Sequence, residues 1–148
     1  MGDLPDEFVE RLKRIVPDSN WPQVYESFHF RKPIVVRINT LLTTVDNILT
    51  ALGNTSINYR QISWKPDALI IAPEFRNEVL NSELYQQGLL YSQNLSHQLA
   101  PLVLNPQPGE GVLDMCAAPG GKTSQIACLM RDNGRTAAIE IIKARFSK

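Results

Sequence analysis

The stretch VLDMCAAPGGKTSQIA, Val112 to Ala127, decides the fold class of this 148-residue chain. A short apolar run comes first, a turn of small residues follows, and an amphipathic run begins at about Lys122. This order predicts a strand, a loop over residues 116–121 and a helix. A second strand is expected from Thr136 to Ile139, so the region is typical of the β-α-β opening of a parallel α/β sheet.

The loop 116–121 is similar in part to a nucleoside-triphosphate loop, whose pattern is G-x-x-x-x-G-K-[ST]. Gly121, Lys122 and Thr123 fit the end of that pattern, but its first glycine would have to stand where the chain has Cys116. Small residues before a helix also let the backbone approach an anionic group of another ligand. Three interpretations stay open: a nucleoside-cofactor loop, a variant phosphate loop and a structural turn.

Glu140 follows the second predicted strand, about 20 residues after the loop glycines. In an open parallel sheet, ligands bind beyond the carboxyl ends of the strands. An acid at that position can accept hydrogen bonds from both ribose hydroxyls of an adenosine-containing ligand. Together with the loop it favours S-adenosylmethionine, which is a nucleoside cofactor with a carboxylate tail.

The composition is that of an ordinary globular protein, with 43% hydrophobic and 20% charged residues. Fifteen Lys and Arg residues balance 15 Asp and Glu residues, so net charge argues neither for nor against a nucleic-acid partner. The sequence has no apolar run of membrane-spanning length and no signal-peptide pattern. Its two cysteines and two histidines do not form a metal-type spacing. We expect a cytoplasmic protein with no metal.

The residues before the loop predict a smaller domain of two helices followed by a strand, a helix and two strands. This order is typical of an α+β unit similar to part of an RNA-recognition motif, although that motif's signature aromatics are not evident. We place an RNA-binding domain at residues 1–83 and an incomplete α/β domain at residues 84–148. Residues 76–87 are interpreted as a connection. Five basic residues either form a phosphate-binding face or are scattered charges: Arg31, Lys32, Arg37, Arg60 and Lys65.

Nearly the whole chain resembles the NOL1/NOP2/Sun family of RNA cytosine-5 methyltransferases. The cofactor region of that family is similar to YSQNLSHQLAPLVLNPQPGEGVLDMCAAPGGKTSQIACLM, which contains its motif D-x-C/A-A-A-P-G-G/S-K-T. Its upstream R-x-N-T-L signature is similar to VVRINTLL. Glu140 with Arg145 fits the branch that methylates small-subunit ribosomal RNA in bacteria. One departure is Asn94, where the family usually has an acid.

The resemblance implies a Rossmann-like S-adenosylmethionine methyltransferase sheet that begins in residues 84–148, with ribosomal RNA or the small ribosomal subunit as partner. In the family's chemistry a cysteine thiolate attacks C6 of cytosine, C5 takes the methyl group, and a base removes the C5 proton. The two cysteines of that chemistry lie on later strands of the family. We therefore expect this chain to be an N-terminal portion that holds no catalytic residue and is inactive alone.

Two further residues are interpreted from their positions in the chain. Cys128 is expected to be a packing residue, and Asp114 either satisfies the N–H groups of the loop or contacts the ligand directly. A non-enzymatic RNA-binding fragment and a phosphate-loop NTPase remain as alternative functions. The family's cofactor-binding positions correspond here to Cys116, Ala117, Ala118, Pro119, Gly120, Gly121, Lys122, Glu140 and Arg145.

Overall fold

The computed structural model describes residues 4–146. The chain divides into two compact units between Lys32 and Pro33. Helices α1 (Asp6–Ile15) and α2 (Trp21–Ser27) make up most of the first unit, as the sequence predicts.

Proline and aromatic side chains organise the first unit. Pro5 directly precedes α1, while the cap expected at Asp3 lies outside the described residues. The ring of Phe8 on α1 packs edge-on against that of Phe28, with 5.4 Å between centroids. Pro22 lies in the first turn of α2, where its missing N–H costs nothing.

The second unit contains two sheets, the helices between their strands and a final short helix after the last strand. Its elements in chain order are β1 (Ile34–Ile38), α3 (Val45–Gly53), β2 (Tyr59–Ile62), β3 (Lys65–Ile71), α4 (Arg76–Asn81), α5 (Glu83–Gln86), β4 (Leu90–Ser92), α6 (Leu95–Leu104), β5 (Gly111–Asp114), α7 (Gly121–Leu129), β6 (Arg135–Ala138) and α8 (Lys143–Phe146).

The first sheet is antiparallel, with strand order β2-β3-β1-β4. Helix α3 begins where the hydroxyl of Thr44 accepts a hydrogen bond from the N–H of Asn47 at 3.2 Å. Alternate side chains of β1 and β3 pack with α3 and α4 in one apolar core. Its buried members are Ile34, Val36, Ile38, Ile48, Leu52, Ile57, Leu69, Ile71, Val79 and Leu90.

The expectation of a plain connection over residues 76–87 is wrong, because this segment forms α4 and α5. Val79 on α4 is fully buried in the core, and Leu80 on α4 and Leu84 on α5 pack against that core. The hydroxyl of Ser82 caps α5 by accepting from the N–H of Tyr85 at 3.4 Å. The apolar spacing in this stretch is helical, and core packing stabilises helices that are too short to persist alone.

The second sheet pairs β5 and β6 in parallel, with Gly111 opposite Arg135 and Asp114 opposite Ala138. Helix α7 connects the two strands, so the predicted β-α-β unit is confirmed. Every residue of β6 is exposed, and Leu113 on β5 is 55% exposed. This sheet therefore buries little apolar surface within the described residues.

Strand β4 lies after the boundary expected between residues 83 and 84, yet it is hydrogen-bonded to β1 of the first sheet. Helices α6 and α7, which both follow β4 in the sequence, pack against each other. The domain boundary itself stays a prediction.

Candidate cofactor site

The turn between β5 and α7 is held by its own backbone and by Asp114 at the end of β5. One carboxylate oxygen of Asp114 accepts from the N–H of Cys116 at 3.1 Å, and the other accepts from the hydroxyl of Thr123 at 2.6 Å. The N–H of Ala117 donates to the carbonyl of Ile139 at 3.1 Å. Asp114 therefore satisfies loop and helix groups, which is the first of its two expected roles.

Two glycines at the start of α7 meet different requirements. Gly120 has a φ of +103°, a left-handed conformation that residues with a Cβ adopt with strain. A Cβ on Gly121 would lie 3.0 Å from a ring carbon of Tyr91 and 3.4 Å from the side-chain amide carbon of Gln93. The first glycine sets the turn, and the second allows the close approach of β4.

Glu140 lies just beyond the end of β6 and reaches back to the loop. Its carboxylate accepts from the N–H of Ala118 at 3.3 Å and from the N–H of Ile142 at 2.9 Å. The hydrogen bond from Ile142 is the main cause that lowers the pKa of Glu140, and the bond from Ala118 and the charge of Arg145 act in the same direction. The carboxylate is therefore ionised at neutral pH. These two bonds use about half of its four acceptor positions.

Two cavities share the loop as a wall. The larger, of about 340 Å³, extends towards the segment between β4 and α6, and the smaller, of about 200 Å³, lies against the end of β6. Ala117, Ala118, Pro119 and Arg145 line both cavities. Cys116 and Lys122 line the larger one, and Gly120 lines the smaller.

The structure brings the nine expected site residues to one end of the β5–β6 sheet. Eight line at least one of the two cavities, and Glu140 is hydrogen-bonded to the loop. Contact of these residues with a cofactor stays a prediction.

Tyr91 on β4 is a neighbour of the loop that residue-by-residue reasoning missed. Its hydroxyl donates to the carbonyl of Pro119 at 2.7 Å, and its ring lines the larger cavity. Burial is the main cause that raises the pKa of Tyr91, so the phenol stays protonated and able to donate. The available signal was the position of Tyr91 in the segment that resembles the family's cofactor region.

The alternative of a basic face that includes Arg37 and Lys65 is wrong. Arg37 is fully buried, and its guanidinium donates to Gln93 at 3.0 Å and to Ser124 at 2.8 Å. Lys65 is 5% exposed and forms an ion pair with Asp67 at 2.6 Å. A signal was present for Arg37, because it interrupts a run of β-branched residues that reads as a buried strand.

Cys128 on α7 is half-buried and also contacts Arg37. Its sulfur accepts from Arg37 at 3.3 Å, and its thiol donates to the side-chain oxygen of Asn39 at 3.4 Å. The thiol therefore belongs to the contact between α7 and β1, in agreement with the expected packing role.

Residues 4–146, the part of the chain that the structure describes, contain no cluster of three His, Cys, Asp or Glu residues that could hold a metal ion. The helices of this part include none that is both long and apolar enough to span a bilayer.

Two family models match the sequence. Residues 101–148 match the family described as 16S rRNA methyltransferase RsmB/F. Residues 4–76 match the family described as the ferredoxin-like domain of RsmF/B-like methyltransferases.

Similar proteins were found among sequences and solved structures. Ribosomal RNA small subunit methyltransferase F of Shewanella loihica is 29% identical over 98% of this chain and 31% of its own length. Ribosomal RNA small subunit methyltransferase B of an Enterobacter species is 34% identical over 82% of this chain and 28% of its own length. A solved methyltransferase homologue from Pyrococcus horikoshii superposes with a TM-score of 0.74 at 27% identity, over 96% of this chain and 50% of that one. The chain thus spans about a third of the length of these curated relatives.

Proposed function

We propose that this chain, which belongs to the RsmB/F methyltransferase family, carries the cofactor loop of an S-adenosylmethionine-dependent RNA (cytosine-5) methyltransferase. The fold prediction is confirmed: a ferredoxin-like α+β domain precedes the start of a methyltransferase sheet. The RNA-recognition-like pattern in the sequence corresponds to β1, α3, β2 and β3, and β4 joins the same sheet at its edge.

One contact carries the proposal. The N–H of Ala118 in the loop donates to the carboxylate of Glu140, which follows the neighbouring parallel strand. Loop and acid therefore meet beyond the carboxyl ends of β5 and β6, where open parallel sheets bind nucleoside ligands. A purely structural turn does not need a solvent-accessible carboxylate with further acceptor positions at that place.

The chemistry of these residues fits S-adenosylmethionine. Glu140 keeps about two acceptor positions for the ribose hydroxyls. Ala117 and Ala118 have small side chains and Gly120 has none, so the backbone can come close to the cofactor. Lys122 supplies a positive charge for its carboxylate tail. When bound, the cofactor supplies an electrophilic methyl group on a sulfonium.

The substrate we propose is ribosomal RNA, with a cytosine C5 as the methyl acceptor. Support comes from the two relatives, whose names specify small-subunit ribosomal RNA. A small ribosomal subunit as partner and a cytoplasmic location are parts of the same proposal.

Cofactor binding is tested by calorimetry with S-adenosylmethionine and, separately, with ATP. We expect saturable binding of S-adenosylmethionine, no binding of ATP, and a loss of affinity of about tenfold or more in Glu140→Gln, because charged hydrogen bonds contribute about 1.5–3 kcal/mol. Glu110→Gln is a matched control, since Glu110 also accepts from a backbone N–H, at 2.8 Å, but lies in the turn before β5. ATP binding would favour the phosphate-loop alternative, and equal affinities of both variants would contradict the site.

We expect no catalysis by the 148-residue chain alone. Cys128 is engaged with β1, and Cys116 belongs to the cofactor loop, where family members also carry alanine. Labelled methyl transfer to ribosomal RNA should stay at the level of a no-enzyme control. Turnover that disappears in Cys116→Ala would show that the loop cysteine is a nucleophile and would contradict this expectation.

A further inference from the structure

Arg37 is a buried cation whose hydrogen-bond acceptors are neutral. Its guanidinium donates to the amide oxygen of Gln93 at 3.0 Å, to the hydroxyl of Ser124 at 2.8 Å and to the sulfur of Cys128 at 3.3 Å. Burial of a charge is costly, and these contacts offset the cost without a carboxylate partner among residues 4–146. Lys65 in the same sheet is different, because it is buried beside Asp67 and forms an ion pair.

Three neighbours of Arg37 contact the cofactor loop: Ser124, Gln93 and Tyr91. The hydroxyl of Ser124, which accepts from Arg37, donates to the carbonyl of Gly121 at 3.2 Å. The side chain of Gln93 packs against Gly121, because a Cβ added to Gly121 would lie 3.4 Å from the side-chain amide carbon of Gln93. The ring of Tyr91 lies 6.0 Å from the guanidinium carbon, and the Tyr91 hydroxyl donates to the loop carbonyl at position 119.

The network continues away from the loop through buried amides. The amide nitrogen of Gln93 donates to Gln125 at 2.9 Å, and that of Gln125 donates to the carbonyl of Gln98 at 2.9 Å. Strand β1, the segment from β4 to α6, and helix α7 are thereby joined through polar groups with defined geometry. Such a network specifies one arrangement of its members, whereas apolar contacts tolerate sliding.

We infer that Arg37 is a positioning residue for the cofactor loop. It holds Ser124, Gln93 and Tyr91, which in turn contact residues 119–121, and its own side chain lines neither loop cavity. The inference rests on the proposed function, since it assigns a role in S-adenosylmethionine binding. It extends that function from the loop to the sheet of the ferredoxin-like domain.

The test compares the S-adenosylmethionine affinity of three variants of the full chain with that of the wild type, well below each melting temperature. Arg37→Met should raise Kd by about fivefold or more, the lower end of ordinary coupling between sites. Arg37→Lys should give an intermediate Kd, because one ammonium reaches fewer of the acceptors than the guanidinium fork. Lys65→Met, the matched control, should lower the melting temperature and keep Kd within about twofold.

Affinity separates a positioning role from a structural one. A wild-type Kd in folded Arg37→Met would overturn the inference, as would a rise of the same size in Lys65→Met. If Arg37→Met does not fold, Ser124→Ala takes its place as the test variant, because it removes the hydroxyl between Arg37 and Gly121. We expect its Kd to rise about threefold or more, the effect of one hydrogen bond, and an unchanged Kd would overturn the inference.

Hydrogen exchange keeps the inference testable even if the proposed function fails. If the wild-type chain binds no S-adenosylmethionine, the cofactor proposal fails. Exchange of the loop amides then tests the positioning role of Arg37 independently of cofactor binding. The N–H groups of Cys116, Ala117, Ala118 and Gly120 are all hydrogen-bonded. They should exchange faster in Arg37→Met than in Lys65→Met, and equal rates would overturn the positioning role.

Discussion

The two sheets of the second unit differ in how much of their surface is buried. The sheet β2-β3-β1-β4 buries one face in a continuous apolar core, whereas β5 and β6 are mostly exposed and end in a loop of small residues. We therefore expect stability to be concentrated in the first sheet, while the proposed cofactor site lies at the end of the second. Arg37, on the first sheet, connects the two through hydrogen bonds to α7.

The largest difference is expected from truncating one leucine in each sheet. Leu69 on β3 is fully buried, so Leu69→Ala should lower the free energy of unfolding by about 2–5 kcal/mol. Leu113 on β5 is largely exposed, so Leu113→Ala should change it by about 0.5 kcal/mol or less. Urea denaturation measures both, and similar losses would show that the second sheet contributes as much to stability as the first.

A smaller effect is expected from alanine at two glycines. Gly120→Ala places a Cβ on a residue with φ +103° and should lower the free energy of unfolding by about 1–3 kcal/mol. Gly53→Ala is the control, because a Cβ there meets no atom within 4 Å, and it should stabilise α3 by up to about 1 kcal/mol. Thermal unfolding compares them, and a neutral Gly120→Ala would contradict the strained turn.

Tyr91→Phe should have a still smaller effect, a loss of about 0.5–1.5 kcal/mol, because it removes the hydrogen bond to Pro119. The raised pKa of Tyr91 means that its contribution is fully present below the unfolded tyrosine pKa and is lost as pH rises through the folded one. Tyr85→Phe is the comparison, since that ring packs against the apolar core. Equal losses in both variants at neutral pH would contradict a specific role for the Tyr91 hydroxyl.

The smallest effect on stability is expected from Glu140, whose carboxylate is solvent-accessible. Its pKa is lowered on folding, so its contribution is present above the unfolded glutamate pKa and is lost as pH falls through the folded one. Glu140→Gln should therefore be slightly less stable than wild type at pH 7, and the difference should vanish in acid. A difference that persists unchanged in acid would mean that the ionised carboxylate does not hold the loop.

Much of the fold could be predicted because the relevant signals are local. Thr44 and Gly53 delimit α3 by capping and termination, and the β-branched run predicts β1. Helices α4 and α5 have weak local signals. They are stabilised by core contacts between Val79 and residues far away in the sequence, and such contacts cannot be read from the local pattern. The pairing of β4 with β1 was likewise not visible in a three-residue strand.

The candidate site also has a part that local signals predict and a part that depends on long-range contacts. The loop and Glu140 could be identified from spacing, because a strand end fixes where an acid lies in a parallel sheet. The role of Arg37 could not, since its partners Ser124 and Cys128 are 87 and 91 positions away in the chain. A basic residue read alone suggests a surface, whereas its neighbours along β1 indicate burial.

Amide NMR of the isotopically labelled chain shows whether residues 116–121 and Glu140 form an S-adenosylmethionine site. Addition of S-adenosylmethionine should shift the amide signals of Ala117 to Gly121 and of Glu140, while those of β2, on the far edge of the first sheet, stay in place. ATP at the same concentration should leave all of them unchanged. Shifts confined to other regions, or loop shifts with ATP and none with S-adenosylmethionine, would contradict this assignment.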